Sequence, residues 1–216
     1  MFKAILFDLD GLLIDSERIY RKISYEMADA FGKTLHDGIW AMQMGRSPLE
    51  SLTIFRHELG ITSHSAQELA DLRKELLIAG FSKELELLPG ALDIIHSFYG
   101  RLGMAIATGS PRDLMDVALS KVGLNGYFDV LMPSDDIRRS KPDPEIYQRT
   151  VETLAFQPDE CIVLEDSTNG ALAGHHAGCY VIAVPSEFTR DQDFSFADQI
   201  AGDLFEARLI IEELVH

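Results

Sequence analysis

The chain has 216 residues, 46% of them hydrophobic, and a formal net charge of −16 from 19 basic and 35 acidic side chains. At roughly 150 residues per domain this is one large domain, or one domain with a modest insertion, and it carries enough apolar material to exclude a disordered chain. The acidic balance argues against a nucleic-acid partner and against docking on anionic lipid, so an anionic small molecule would need a local cation to hold it.

The opening MFKAILFDLDG has one lysine and only a short apolar run before its acids, which is not the pattern of a signal peptide. No apolar stretch approaches the ~18 residues of a membrane span. Cys161 and Cys179 sit in apolar runs and are expected as buried free thiols in a reducing compartment. These features predict a cytoplasmic protein, with no membrane, nucleic-acid or protein partner indicated.

Residues 3–7 read as a strand buried on both faces, because the run is apolar without alternating. From Ser16 to about Leu87 only helical patterns follow. Ile19, Ile23, Met27 and Phe31 share a stripe that stops at Gly32, a second helix is predicted over 49–59, and a third over 66–81. After Pro89-Gly90, Leu92, Ile95 and Phe98 share a face. Residues 104–107 give the second strand. Leu114, Ala118 and Val122 then mark a helix ending at Gly123. Residues 130–132 are a third strand, and Ile146, Thr150, Val151 and Leu154 a helix after Pro144. Runs 161–164 and 180–184 complete the strands, and 205–214 reads as a closing helix. The alternation predicts an α/β fold, a Rossmann-like parallel sheet wrapped by helices. Residues 1–15 and 88–216 form its core domain, and 16–87 an inserted all-helical cap joined through 12–15 and 85–89.

Four segments at strand ends carry chemistry. In Phe7-Asp8-Leu9-Asp10-Gly11, two carboxylates end the first strand, where open α/β sheets bind ligands, and Gly11 permits a sharp turn. They are solvated loop acids or a site. A carboxylate this close to an apolar strand costs several kcal/mol without a cationic partner. Glu165-Asp166-Ser167 ends another strand. Asp8, Asp10 and Asp166, with Glu165 in reserve, make a hard-oxygen set suited to Mg²⁺, although Asp166 and Ser167 also suit a helix cap. Thr108-Gly109-Ser110-Pro111 offers hydroxyls and backbone N–H groups to an anion, or simply caps a helix with Ser110 at N-cap and Pro111 at N1. In Lys141-Pro142-Asp143-Pro144 the prolines stiffen the backbone around a lysine that is either aimed inward or on a surface loop.

These motifs, in this order, resemble those of the haloacid dehalogenase-like hydrolase superfamily over nearly the whole chain. The helical insertion after the first motif resembles the cap of the branch that includes β-phosphoglucomutase and phosphoglycolate phosphatase. The resemblance implies a Mg²⁺-dependent phosphatase acting on a small phosphorylated metabolite, a sugar or nucleoside monophosphate. It makes Asp8 the nucleophile that forms an aspartyl-phosphate and Asp10 the general acid and base. It implies Mg²⁺ held by Asp8, the Asp10 backbone carbonyl and Asp166. Thr108 would then donate to the phosphoryl oxygens. Lys141 would orient Asp8 and pair with Glu165, which otherwise reaches the metal through water. Gly109 and Ser110 line the substrate side. The loop 44–50 resembles the branch's specificity loop, and Arg46 there either reaches the substrate or is a solvated arginine beside a helix. Trp40 is expected in the core, and His175-His176 away from the site.

The resemblance also bears on the reaction. Asp10 argues against relatives that cleave carbon–halogen or phosphonate bonds, which lack it. The alternative is β-phosphoglucomutase-type transfer. Such enzymes use a histidine soon after the first motif and an arginine in the specificity loop. Here Tyr20 and Pro48 occupy those places, which implies hydrolysis as the main activity, unless Arg46, two residues before Pro48, stands in for the arginine.

Overall fold

The computed structural model describes residues 1–44 and 46–215. Its centre is a parallel sheet of β1 (Ala4–Phe7), β2 (Gly103–Ala107), β3 (Val130–Met132), β4 (Cys161–Glu165), β5 (Tyr180–Ala183) and β6 (Gln199–Ile200), in the order β3-β2-β1-β4-β5-β6. The chain builds outward from β1 through β2 to β3, then returns to the other side of β1 with β4. That reversal leaves a crevice beyond the C-terminal ends of β1 and β4, the usual ligand position in such sheets. Phe7 is in register with both Ile106 and Leu164, so the residues just after these strands meet at one edge.

Both faces of the sheet are covered, as the unbroken apolar runs require. Ile5, Phe7, Met104, Ile106, Ile162 and Leu164 face a core built with α5 (Ala91–Phe98), α6 (Arg112–Val122) and α9 (Leu204–Val215). Ala4, Leu6, Ala105, Ala107 and Val163 face α7 (Glu145–Leu154) and α8 (Thr168–Ala177). The alanines on this second face let those helices lie close. Gly174 of α8 shows how close: a Cβ there would sit 2.9 Å from Val163 Cγ1 and 3.1 Å from its Cβ.

Between β1 and α5 lie α1 (Glu17–Ala30), α2 (Asp37–Gln43), α3 (Pro48–Glu58) and α4 (Ala66–Glu84). Ser47 with Glu50, and Ser65 with Glu68, form capping boxes that fix where α3 and α4 begin. The apolar faces of these helices share one continuous cluster with the sheet's first face, through Ile19, Leu52, Leu69, Leu77 and Phe81. Across the boundary, Lys74 pairs with Asp113 at 2.8 Å, and Lys121 donates to the Lys83 carbonyl at 3.1 Å. The two connecting segments run side by side. Asp15 N–H donates to the Glu86 carbonyl at 3.0 Å, and Leu88 N–H to the Leu13 carbonyl at 2.9 Å.

Several expectations need correction. The helix expected over 49–59 is Pro48–Glu58, and the one expected over 66–81 continues to Glu84. α2 and β6 were not anticipated: α2 is short and holds Gly38, while β6 has only two residues. Leu92 is 40% exposed, and Ile94 takes its place on the buried face of α5. Pro111, not Ser110, is the N-cap of α6, which begins at Arg112. Both cysteines are buried free thiols, and His175 and His176 lie in α8. Among the described residues, no helix is long and apolar enough to cross a membrane.

The tight seat of α8 yields a stability test. Gly174→Ala forces the helix or Val163 to shift and should cost about 1–3 kcal/mol, read as a lower urea midpoint with unchanged slope. An unchanged midpoint would contradict this packing.

Candidate active site

Lys141 organises the crevice. Its ammonium donates to Asp8 Oδ1 at 2.6 Å, to the Ala107 carbonyl at 2.9 Å and to Glu165 Oε1 at 2.5 Å. A lysine has three donors, and all are used, one at the end of each of three neighbouring strands. The ammonium also lies 5.1 Å from the centroid of the Tyr147 ring. Burial opposes its charge, but Asp8 and Glu165 together hold its pKa above the ordinary lysine value. The short connection through Pro142 and Pro144 aims this side chain inward, so the surface-loop alternative does not apply.

Glu165 is wholly buried and fully engaged. Besides Lys141, its Oε1 accepts from the Tyr147 hydroxyl at 2.6 Å, and its Oε2 accepts from Ser167 Oγ at 3.2 Å. Ser167 is also the N-cap of α8, its hydroxyl accepting from Gly170 N–H. A Cβ at Gly170 would overlap the Glu165 carboxylate, so only glycine leaves that group its space.

Asp8, Glu165 and Asp166 each bring a carboxylate oxygen within 4.8 Å of the others. Burial pushes Asp8 well above the usual carboxylate range, with Lys141 opposing and Glu165 and Asp10 adding to the shift. Burial, with Asp8 and Glu165 close by, does the same to Asp166. One ammonium for three buried carboxylates leaves the cluster short of positive charge. An all-oxygen set of this kind fits a hard divalent cation. Gly11 serves the same arrangement. Its φ is +78°, and a Cβ there would lie 2.6 Å from Asp166 Oδ2, so the glycine provides close approach as well as a turn.

Asp10 stands apart from that group. Its Oδ2 accepts from Thr108 Oγ1 at 3.0 Å and from Ser110 Oγ at 2.7 Å, while Oδ1 is buried without a partner among the described residues. The carboxylates that converge are therefore Asp8, Glu165 and Asp166, and the side chain of Asp10 faces the Thr108 turn. Thr108 and Ser110, expected to face a phosphoryl group or cap the helix, are here turned to Asp10. Thr108 Oγ1 also accepts from Ser110 N–H at 3.0 Å.

A cavity of about 170 Å³ opens above these groups. Asp8, Asp10, Gly109, Ser110, Lys141 and Asp166 line it from the sheet side. Glu17, Tyr20, Gln43, Arg46, Ser51 and Arg73 line it from the helical block. Arg46 is exposed and donates from Nε to the Met42 carbonyl at 2.8 Å; Gly45, in the same loop, lies outside the described residues. Trp40 is buried, as expected, and also reaches the cavity wall. Sequence reasoning missed Tyr147, Glu17 and Arg73. Arg73 did leave a signal, since it occupies the buried register of α4 between Leu69 and Leu77, four residues from each. Burial and the neighbouring Asp10 push the Glu17 carboxyl up to about 7, with Arg73 opposing. Burial brings the Arg73 guanidinium down to about 10.

The family model for haloacid dehalogenase-like hydrolases matches residues 5–184. The chain belongs to that family. It is an enzyme of the hydrolase class, in a branch whose curated members include named phosphatases. It is 31% identical over 211 residues to validoxylamine A 7′-phosphate phosphatase of Streptomyces hygroscopicus subsp. limoneus, covering 96% of this chain and 97% of that protein. It is 32% identical over 222 residues to the protein CbbY of Rhodobacter capsulatus, covering 95% of each. Crystal structures of CbbY from Rhodobacter sphaeroides, one with phosphate and one of a variant with xylulose 1,5-bisphosphate, share 25% identity and a TM-score of 0.87 over 95% of this chain and 96% of theirs.

Removing the ammonium would strand two buried carboxylates. Lys141→Met should therefore destabilise the fold by about 3–5 kcal/mol in urea titrations run in chelator. A loss below about 1 kcal/mol, the size of an exposed ion pair, would show that the lysine is not the anchor described here.

Proposed function

We propose that this enzyme is a Mg²⁺-dependent phosphatase that hydrolyses a small phosphorylated metabolite, a sugar or nucleoside monophosphate, through an aspartyl-phosphate. Residues 16–87 act as its cap domain, over a core formed by 1–15 and 88–216. The observation that carries this reading is the contrast between two neighbouring carboxylates. Asp8 is tethered by Lys141, whereas Asp10 is held on one oxygen by two hydroxyls and has its other oxygen buried without a partner among the described residues.

In the first step an Asp8 oxygen attacks phosphorus, the ester P–O bond breaks, and Asp10 gives its proton to the departing oxygen. In the second, Asp10 takes a proton from water, the water oxygen attacks phosphorus, and the bond to Asp8 breaks. Inorganic phosphate leaves and both carboxyl groups return to their starting states. Asp8 and Asp166, backed by Glu165, would hold Mg²⁺, which supplies positive charge to the phosphoryl oxygens. Lys141 keeps the attacking carboxylate in place and offsets its charge. Thr108 and Ser110 orient Asp10.

Hydrolysis is favoured over mutase transfer because Tyr20 stands where a mutase has its histidine. Its hydroxyl lies 3.4 Å from Ser110 Oγ, within reach of the Asp10 side of the site. With β-glucose 1-phosphate, Mg²⁺ and a trace of the 1,6-bisphosphate, free phosphate should outpace glucose 6-phosphate. The reverse order would establish the mutase.

Asp8→Asn keeps the shape and removes the nucleophile, so turnover should fall by at least about a thousandfold with native circular dichroism. Chelator should abolish phosphate release, Mg²⁺ should restore it, and Ca²⁺ should inhibit because its looser coordination disturbs in-line geometry. Undiminished activity in Asp8→Asn or in chelator would refute the proposal.

A further inference from the structure

Two ionisable side chains in the roof of the cavity take no part in the phosphoryl chemistry. Arg73, from the middle of α4, is only 6% exposed. Its Nη1 donates to Ser51 Oγ at 2.9 Å and its Nη2 to the Pro48 carbonyl at 3.4 Å. It forms no ion pair with a carboxylate among the described residues. A buried arginine normally has such a partner. Glu17, the first residue of α1, lines the same cavity and has neither a hydrogen bond nor an ion pair among the described residues. The two lie near enough for each to temper the other's charge, and among the described residues no hydrogen bond or ion pair joins them.

Facing one cavity, the pair selects for a particular chemical group. Arg73 has N–H donors to spare, and Glu17 offers acceptor oxygens. A hydroxyl satisfies both at once, accepting from the guanidinium and donating to the carboxylate. A carboxylate or phosphate satisfies only Arg73 and, above about pH 7 where Glu17 is ionised, sets acceptor against acceptor there, with Asp10 adding to the repulsion. The wall is braced for this task. Ser51, which holds Arg73, donates to Gln43 Oε1 at 3.2 Å, and Gln43 donates in turn to the Ile39 carbonyl at 3.2 Å. At about 170 Å³ the cavity is also smaller than the roughly 300–1,000 Å³ of drug-sized sites, which suits a compact metabolite.

We propose that Glu17 and Arg73 form a hydroxyl-reading pair that selects sugar and polyol monophosphates and rejects phosphate esters whose far end is anionic. This rests on the phosphatase reading above and specifies its substrate class.

The test measures Mg²⁺-dependent phosphate release from p-nitrophenyl phosphate and four metabolites. Fructose 1-phosphate and glycerol 1-phosphate have hydroxylated tails. Phosphoglycolate and fructose 1,6-bisphosphate have anionic ones. The better hydroxylated ester should exceed both anionic ones in kcat/KM by at least about tenfold. Glu17→Gln keeps the shape but leaves Arg73 uncompensated, so that preference should shrink about tenfold or invert. Arg73→Met should raise KM for the hydroxylated esters more than it lowers kcat, with Arg73→Lys recovering part of the loss. If Arg73→Met does not fold by circular dichroism, Glu17→Gln decides the matter. A wild-type preference for phosphoglycolate or for a bisphosphate, the kind of ligand seen in the Rhodobacter sphaeroides relative, would overturn the proposal. So would an unchanged preference in Glu17→Gln. No turnover of any ester would overturn the phosphatase reading itself, a result distinct from turnover without selectivity.

Discussion

The Lys141 ammonium is the contact on which the rest of the site depends. Its three acceptors follow β1, end β2 and end β4, so one side chain ties together three strand ends that are far apart in sequence. Two of those acceptors are buried carboxylates, and Lys141 is the cation that pairs with both among the described residues. The contact forms only when the strands are in register, with Phe7 beside Ile106 and Leu164. Assembling the sheet and assembling the Lys141 contacts are thus the same event. Tyr147 and Ser167 complete the shell around Glu165 from α7 and from the start of α8, so helices on that face of the sheet are tied to the same point.

Asp10 occupies the seam between the sheet and the helical block. Ser110 bonds it from the sheet side and also meets the Tyr20 hydroxyl from α1. The position of α1 therefore bears on the group assigned to proton transfer. The charges divide along the same line. Beneath the seam, among the described residues, Asp8, Glu165 and Asp166 outnumber Lys141, a balance suited to a hard cation. Above it, one buried cation faces one carboxylate, a balance suited to a neutral ligand.

Much of this was legible in the sequence because buried parallel strands are apolar without interruption. Each main run located a strand, and the polar residues just beyond marked the ligand edge, which is how Asp8, Thr108 and Glu165 were found. The closing pair Gln199–Ile200 has no such run and went unseen. Partners were harder to read than positions. Ser110 looked like a helix cap because its neighbours suit one, yet its hydroxyl turns to a carboxylate a hundred residues away in sequence. Arg73 does not stand out in the sequence, because a charged residue is expected on the solvated face of a helix. The spacing of Leu69, Leu77 and Phe81 had placed it on the other face. Gly11 was read as a turn residue, but its second role, giving room to Asp166, depends on a strand more than 150 residues further along.

The paired connections between sheet and helical block carry one more implication. Because the segments around Leu13 and Glu86 hydrogen-bond to each other, the chain leaves the sheet and returns to it at nearly the same place. Antiparallel neighbours of this kind stand about 5 Å apart, a gap that a very short turn can close. For the β1–β2 crossover, the four intervening helices amount to one long insertion that leaves and re-enters at a single point. Its length can change without altering the strand order, provided the apolar face that it shares with the sheet stays covered. The strand ends are thus constrained by register, and the roof above them by whatever molecule must fit beneath.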